Sequence, residues 1–140
     1  MVAEPLPSRA QDPIQDPIMV VDDDPVCCRL LATMLELGGY RVEWTTDATL
    51  ALGRVLERPY ALVLADVQMP QMPGTTLAAE IALQRPGLPT VLVSAFADRR
   101  ARAQARALGA ELIAKPVRSD TLLATVRELL DQSGRCASAS

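Results

Sequence analysis

Apolar and polar positions along this chain alternate in blocks. Short runs rich in β-branched and other apolar residues fall at 18–21, 41–45, 61–65, 90–94 and 111–114. Met19-Val20-Val21, Ala61-Leu62-Val63-Leu64-Ala65 and Val91-Leu92-Val93 are apolar without alternation. Such runs mark strands buried on both faces, as in a parallel sheet. Each run is followed by a segment of helical character. Asp24 can cap the first helix and Pro25 suits its first position, with Leu30, Leu31, Met34 and Leu37 at helical spacing before Gly38-Gly39. Asp47 or Thr46 can cap a second helix carrying Leu50, Val55 and Leu56, which stops before Pro59. Thr75 opens a third with Leu77 and Ile81 inward, ended by Pro86-Gly87. Asp98 can cap a fourth, and Ser119 a fifth with Leu122, Leu123, Val126, Leu129 and Leu130. Five strand–helix units in succession predict an open, doubly wound α/β sandwich with right-handed crossovers.

The ends of the chain break this pattern. Residues 1–17 hold four of the eleven prolines and a short duplication, Gln11-Asp12-Pro13-Ile14 and Gln15-Asp16-Pro17-Ile18. Proline at that density opposes both helix and central strand, so a disordered leader is expected there. Residues 132–140 are small and polar and read as a flexible tail. One domain over 18–131 remains.

Composition narrows the classes. The chain has 140 residues, 14 basic against 17 acidic side chains and a net charge of −3, which gives no chain-wide basic footprint for nucleic acid. Its three cysteines include an adjacent pair, Cys27-Cys28, and there is no histidine. That suggests neither a disulfide framework nor a zinc site. No apolar run approaches membrane-spanning length and no signal pattern opens the chain. A cytoplasmic setting is the default.

In doubly wound sheets the chemistry gathers at the carboxyl ends of the strands. Here every central strand ends in a polar group. The first ends in Asp22 and Asp23, the third in Asp66, the fourth in Ser94 and the fifth in Lys115, followed by Pro116. Three carboxylates in one cleft repel and call for a hard divalent cation, for which oxygen ligands suit Mg²⁺. With the acids neutralised, Asp66 can attack phosphorus as a nucleophile while Ser94 and Lys115 contact the phosphoryl oxygens. A carboxylate nucleophile needs no general base. Singly, each of these residues is an ordinary cap or strand terminator; together, in this order, they make a site.

These stretches resemble the receiver domain of bacterial two-component response regulators. The matching segments are Val20-Val21-Asp22-Asp23-Asp24-Pro25, Ala65-Asp66-Val67-Gln68-Met69-Pro70 with Gly74 beyond, Val93-Ser94-Ala95, and Ala114-Lys115-Pro116. The resemblance implies a flavodoxin-like (βα)5 fold with strand order 2-1-3-4-5. It implies that Asp66 is the phosphoacceptor for a phosphohistidine on a sensor histidine kinase or a histidine phosphotransfer domain. Asp23 and Asp66 would ligate Mg²⁺ directly, Asp22 mainly through water, and the Gln68 backbone carbonyl would add a ligand. Ser94 and Lys115 would sense the phosphoryl group, and the Lys115–Pro116 bond would be cis. Asp24 falls outside the metal set and is left to cap the first helix.

Two positions depart from the family pattern and two more bear on phosphoryl loss. Leu112 stands where an aromatic switch residue is common, Pro73 replaces an aspartate before glycine, and Gln68 and Phe96 occupy positions that tune phosphoryl loss. Bulky Phe96 is expected to obstruct attacking water. Residues after 131 are too few for a helix-turn-helix or an enzyme, which predicts a stand-alone signalling switch rather than an enzyme. Output would then pass through a protein target on the face of the fourth helix, fifth strand and fifth helix. Arg99, Arg100, Arg102 and Arg106 give that fourth helix a basic face suited to an acidic partner. Membrane and nucleic acid are not expected as partners, and a homodimer is left open. A degenerate receiver, binding without phosphorylation, is the alternative.

Overall fold

The computed structural model describes residues 16–139. Its elements are β1 (Ile18–Val21), α1 (Pro25–Leu37), β2 (Val42–Thr45), α2 (Ala48–Glu57), β3 (Leu62–Asp66), α3 (Gly74–Gln84), β4 (Thr90–Ser94), α4 (Arg99–Ala107), β5 (Glu111–Ala114) and α5 (Ser119–Ala139). All strand pairs are parallel, in the order β2-β1-β3-β4-β5. This is the doubly wound (βα)5 sheet expected from the blocks of apolar residues.

Every residue of β1, β3 and β4 is buried, because helices cover both faces of the sheet. Alternate strand side chains feed two separate cores. Met19, Val21, Val63, Ala65 and Leu92 pack beneath α2, α3 and α4 around Val55, Leu77 and Ile81. Ile18, Val20, Leu62, Leu64, Val91 and Val93 pack beneath α1 and α5 around Leu31, Leu35, Leu122 and Val126.

The helix termini follow their caps. Asp24 accepts from the Val26 N–H at 2.9 Å, Asp47 from Thr49 at 2.9 Å and Asp98 from Ala101 at 2.8 Å. Gly39 sits at φ 99° just after α1, a conformation that only glycine takes without strain.

Four details differ from the sequence-based expectation. The buried stripe of α1 is Cys28, Leu31, Ala32 and Leu35, so Leu30 and Leu37 face solvent, as does Leu50 on α2. Small side chains let the helix lie close to the sheet, and a reading weighted by residue size misses them. Helix α3 starts at Gly74 behind Pro73 rather than at Thr75, with no side-chain cap. Ser119 lies within the first turn of α5, where the Leu122 N–H reaches the Arg118 carbonyl at 2.9 Å. Helix α5 also continues through Ala139, over most of the segment expected as a tail. No proline interrupts it, and alanine carries little helical penalty. The proposed leader, 1–17, lies outside the described residues as far as residue 15.

Candidate functional site

The register of the sheet brings the strand-end residues together. Val21 pairs with Ala65, so Asp22 and Asp66 follow at the same level on neighbouring strands, whose spacing is roughly 4.8 Å. Asp66 pairs with Val93, placing Ser94 one residue further out, and Ser94 pairs with Ala114, placing Lys115 one further still. The longest side chain therefore starts furthest away and reaches back. Lys115 Nζ lies 3.0 Å from Asp66 Oδ2 and 3.6 Å from Asp22 Oδ2. The Lys115–Pro116 bond is cis.

Each buried acid has one oxygen fixed by the backbone and the other turned to the lysine. Asp22 Oδ1 accepts from the Asp24 N–H at 2.9 Å, and Asp66 Oδ1 from the Gln68 N–H at 3.1 Å. Asp22 and Asp66 are buried, while Asp23 is exposed and lines a cleft of about 260 Å³ with Thr46, Met69 and Gln71. Asp22, Asp23 and Asp66 each offer a carboxylate oxygen within 4.8 Å of the others. Asp22 Oδ2 is fully buried without a hydrogen-bond partner. A buried, unsatisfied carboxylate oxygen beside two further acids is the donor arrangement of a hard-cation site.

Electrostatics agree with this reading. Burial pushes the Asp22 carboxyl above its ordinary range, and the neighbouring Asp66 charge adds to it, against the Asp24 N–H and Lys115. Burial alone would lower the Lys115 ammonium, but the hydrogen bond and charge of Asp66, with the charge of Asp22, hold it above its usual value. The lysine is thus a fixed cation.

Ser94 is buried, and its Oγ accepts from the Phe96 N–H at 3.0 Å. The Phe96 ring is 68 % exposed at the rim. Gln68 is exposed and contacts the site through its backbone. Leu112 is half-buried, and its carbonyl accepts from Arg102 on α4 at 3.4 Å.

Two supporting residues were not given their roles by sequence reasoning. A Cβ on Gly74 would collide with the Asp66 carbonyl oxygen, and the Gly74 N–H donates to Val67 at 2.9 Å. The start of α3 is thereby clamped onto the backbone at the end of β3. The Cys28 thiol donates to the Asp22 carbonyl at 3.2 Å, tying α1 to the end of β1. A glycine directly behind Pro73, and a cysteine at three- and four-residue spacing from Leu31 and Ala32, were the available signals.

The site's surroundings match known proteins. Residues 18–127 match the family model described as "Response regulator receiver domain". Among curated proteins the chain is 35 % identical to Transcriptional regulatory protein ZraR of Escherichia coli O157:H7 over 114 residues, covering 81 % of this chain and 26 % of that protein. It is 32 % identical to the uncharacterized transcriptional regulatory protein YbdJ of Bacillus subtilis, covering 81 % of this chain and 50 % of that one. The chain thus spans a quarter to a half of these relatives. Among solved structures, a CheY-like response regulator receiver domain protein from Methanospirillum hungatei superposes with a TM-score of 0.80 at 30 % identity, over 86 % of this chain and 98 % of that one.

Proposed function

This chain belongs to the response regulator receiver domain family, and on that premise we propose that Asp66 accepts a phosphoryl group from a phosphohistidine on a sensor histidine kinase or a histidine phosphotransfer domain. The observation that carries the reading is the convergence of Asp22, Asp23 and Asp66 within 4.8 Å, with Lys115 Nζ reaching two of them. Receiver domains switch by phosphorylation as a family.

The acids present fit Mg²⁺. The donors are all oxygen, and the buried Asp22 Oδ2 accepts no hydrogen bond, with Lys115 Nζ 3.6 Å away. Asp22, Asp23, Asp66 and the Gln68 carbonyl would hold it. Bound there, the ion supplies positive charge against the transferring phosphoryl oxygens.

The remaining work belongs to the chain itself. An Asp66 oxygen forms a bond to phosphorus as the imidazole N–P bond breaks, and the departing nitrogen keeps the electron pair and takes a proton from solvent. The Gln68 N–H holds the Asp66 carboxylate in one orientation, so no rotation is needed for attack. Lys115, held as a cation beside Asp66, neutralises charge on the acyl phosphate formed. The Ser94 hydroxyl, which now accepts from Phe96, still has its own proton to donate to a phosphoryl oxygen. Such a protein is a signalling switch that catalyses only its own modification, and cytoplasm is the compartment this implies. No helix among the described residues is long and apolar enough to cross a membrane. Its output would be a protein target bound on the α4–β5–α5 face.

Incubation with Mg²⁺ and acetyl phosphate tests the reading. The expected result is a mass gain of one phosphoryl group, lost in Asp66→Asn. No gain, together with no Mg²⁺ affinity, would leave a phosphorylation-independent scaffold.

A further inference from the structure

The sheet has two outer edges, on β2 and β5. Natural edges are blunted by charge, proline or a bulge. On β5, Glu111 is exposed and Pro116 lies just past the strand. The edge of β2 is open. The Ile18 N–H donates to the Arg41 carbonyl at 2.8 Å, and the Asp22 N–H to the Thr45 carbonyl at 3.4 Å. Backbone groups alternate in direction along a strand, so Arg41, Glu43 and Thr45 turn theirs to β1, whereas Val42 and Trp44 turn theirs away from the sheet. No strand among the described residues pairs with that side. The only charged residue of β2 is Glu43, and its carboxylate is turned onto its own domain. It accepts from the Tyr60 hydroxyl at 2.6 Å, with Arg58 at 3.6 Å and Arg54 at 3.8 Å. On the opposite face Trp44, the chain's one tryptophan, is 40 % exposed beside half-buried Val42.

These features fit the same strand of a second copy, run antiparallel. With Glu43 on the two-fold axis, Val42 of one copy faces Trp44 of the other. The two residues then exchange both N–H···O bonds, once on each side of the axis. Their side chains form an aromatic–β-branched cross-strand pair, which is stabilising. The two Glu43 carboxylates approach the axis already held by Tyr60 and the arginines, so little like-charge repulsion opposes the pairing. Arg41 precedes the strand and Asp47 follows it, both exposed. Antiparallel pairing sets the basic end of each strand against the acidic end of the other, whereas parallel pairing would set like charge beside like. The edge is complementary to itself, as an isologous contact requires.

We propose that the outer edge of β2 is a self-association surface, joining the sheets of two copies of this chain through antiparallel β2 strands. The strand, Val42–Thr45, spans only about 13 Å, so the contact is small and the dimer weak and concentration-dependent. It does not depend on phosphorylation of Asp66.

Sedimentation velocity and amide hydrogen exchange on the full chain, between about 10 μM and about 1 mM, cover the affinity range of such a contact. The expected result is a sedimentation coefficient that rises with concentration while exchange of the Val42 and Trp44 amides slows. Trp44→Lys, which puts a charge on the edge, should weaken association at least about tenfold. A cross-link tests the register. In a background with Cys27 and Cys136 changed to serine, Glu43→Cys should give a disulfide-linked dimer under mild oxidation, because position 43 meets itself at the axis. Thr45→Cys faces Arg41 of the other copy and should not. Circular dichroism would verify that the variants fold. A monomer throughout the range overturns the proposal, as does a dimer that Trp44→Lys leaves intact. So does Thr45→Cys cross-linking as readily as Glu43→Cys. Protection of the two amides at every concentration also overturns it, and would mean that another part of the same chain covers the edge.

Discussion

The end of β1, with Asp22 and Asp23, leads into α1, and the end of β4, with Ser94, leads by a loop into α4. The first connection is heavily tied. Asp24 caps the helix, Asp22 accepts the Asp24 N–H, the Cys28 thiol holds the Asp22 carbonyl and four residues of α1 are buried. The second is lightly tied. Helix α4 buries only Ala105, exposes four arginines and reaches β5 by one long hydrogen bond from Arg102. The contrast suggests a division of labour. The acids that would hold a cation need a rigid frame, whereas an element that reports phosphorylation must move at small cost.

Leu35→Ala tests the rigid side most severely, since Leu35 is fully buried. It should lose about 2–5 kcal/mol of unfolding free energy in a denaturant titration; a loss no larger than that of an exposed α4 substitution would break the comparison.

Cys28 gives an alkaline signature of the same frame. Burial, with the Asp22 charge, pushes its thiol up to about 12. A raised value means that the folded state keeps the proton after the unfolded chain has lost it. Stability should therefore fall by about 1.4 kcal/mol per pH unit from roughly pH 8.5 upward through this window. Cys28→Ala should flatten that limb of the stability–pH curve.

Asp22→Asn should act in the opposite direction at neutral pH. The Asp22 carboxyl is raised chiefly by burial, so its stabilising contribution is complete below the unfolded value near 3.9 and is lost as pH rises through the folded value. Removing the charge should raise stability at pH 7 without Mg²⁺, because the buried carboxylate is desolvated and repelled by Asp66. The gain should shrink towards pH 4, and Mg²⁺ affinity should drop. An unchanged neutral-pH stability would mean that Lys115 already compensates the buried charge.

Arg102→Ala is the smallest test. Cutting the hydrogen bond to Leu112 should cost no more than about 0.5 kcal/mol globally, yet hydrogen exchange in α4 should quicken while α1 is unaffected. Equal quickening in both helices would erase the distinction between the two connections.

Much of this was legible from local pattern. Unbroken apolar runs identified buried strands, and the polar residue closing each run identified the site, because strand ends on one sheet edge converge whatever the loops do. Caps at Asp24, Asp47 and Asp98 were equally plain, being local hydrogen-bond chemistry. Helix faces were not. Helical spacing groups Leu30 and Leu37 with Leu31 and Met34, whereas Cys28 and Ala32 occupy the contact with Leu31 and Leu35, since the separation between helix and sheet decides which volumes fit. The closeness of Gly74 to Asp66 had no local signature beyond a glycine after a proline.

The order of apolar and polar residues alone determined a five-unit parallel α/β chain with acids, a hydroxyl and a lysine at its strand ends, because side-chain period and strand polarity are properties of the backbone. Only the tertiary structure decided that Lys115 bridges Asp22 and Asp66, that one Asp22 oxygen is buried without a hydrogen bond, and that α1 presents apolar side chains outward. Those outcomes depend on register between strands and on how closely each helix lies on the sheet, distances that no single segment of the chain carries.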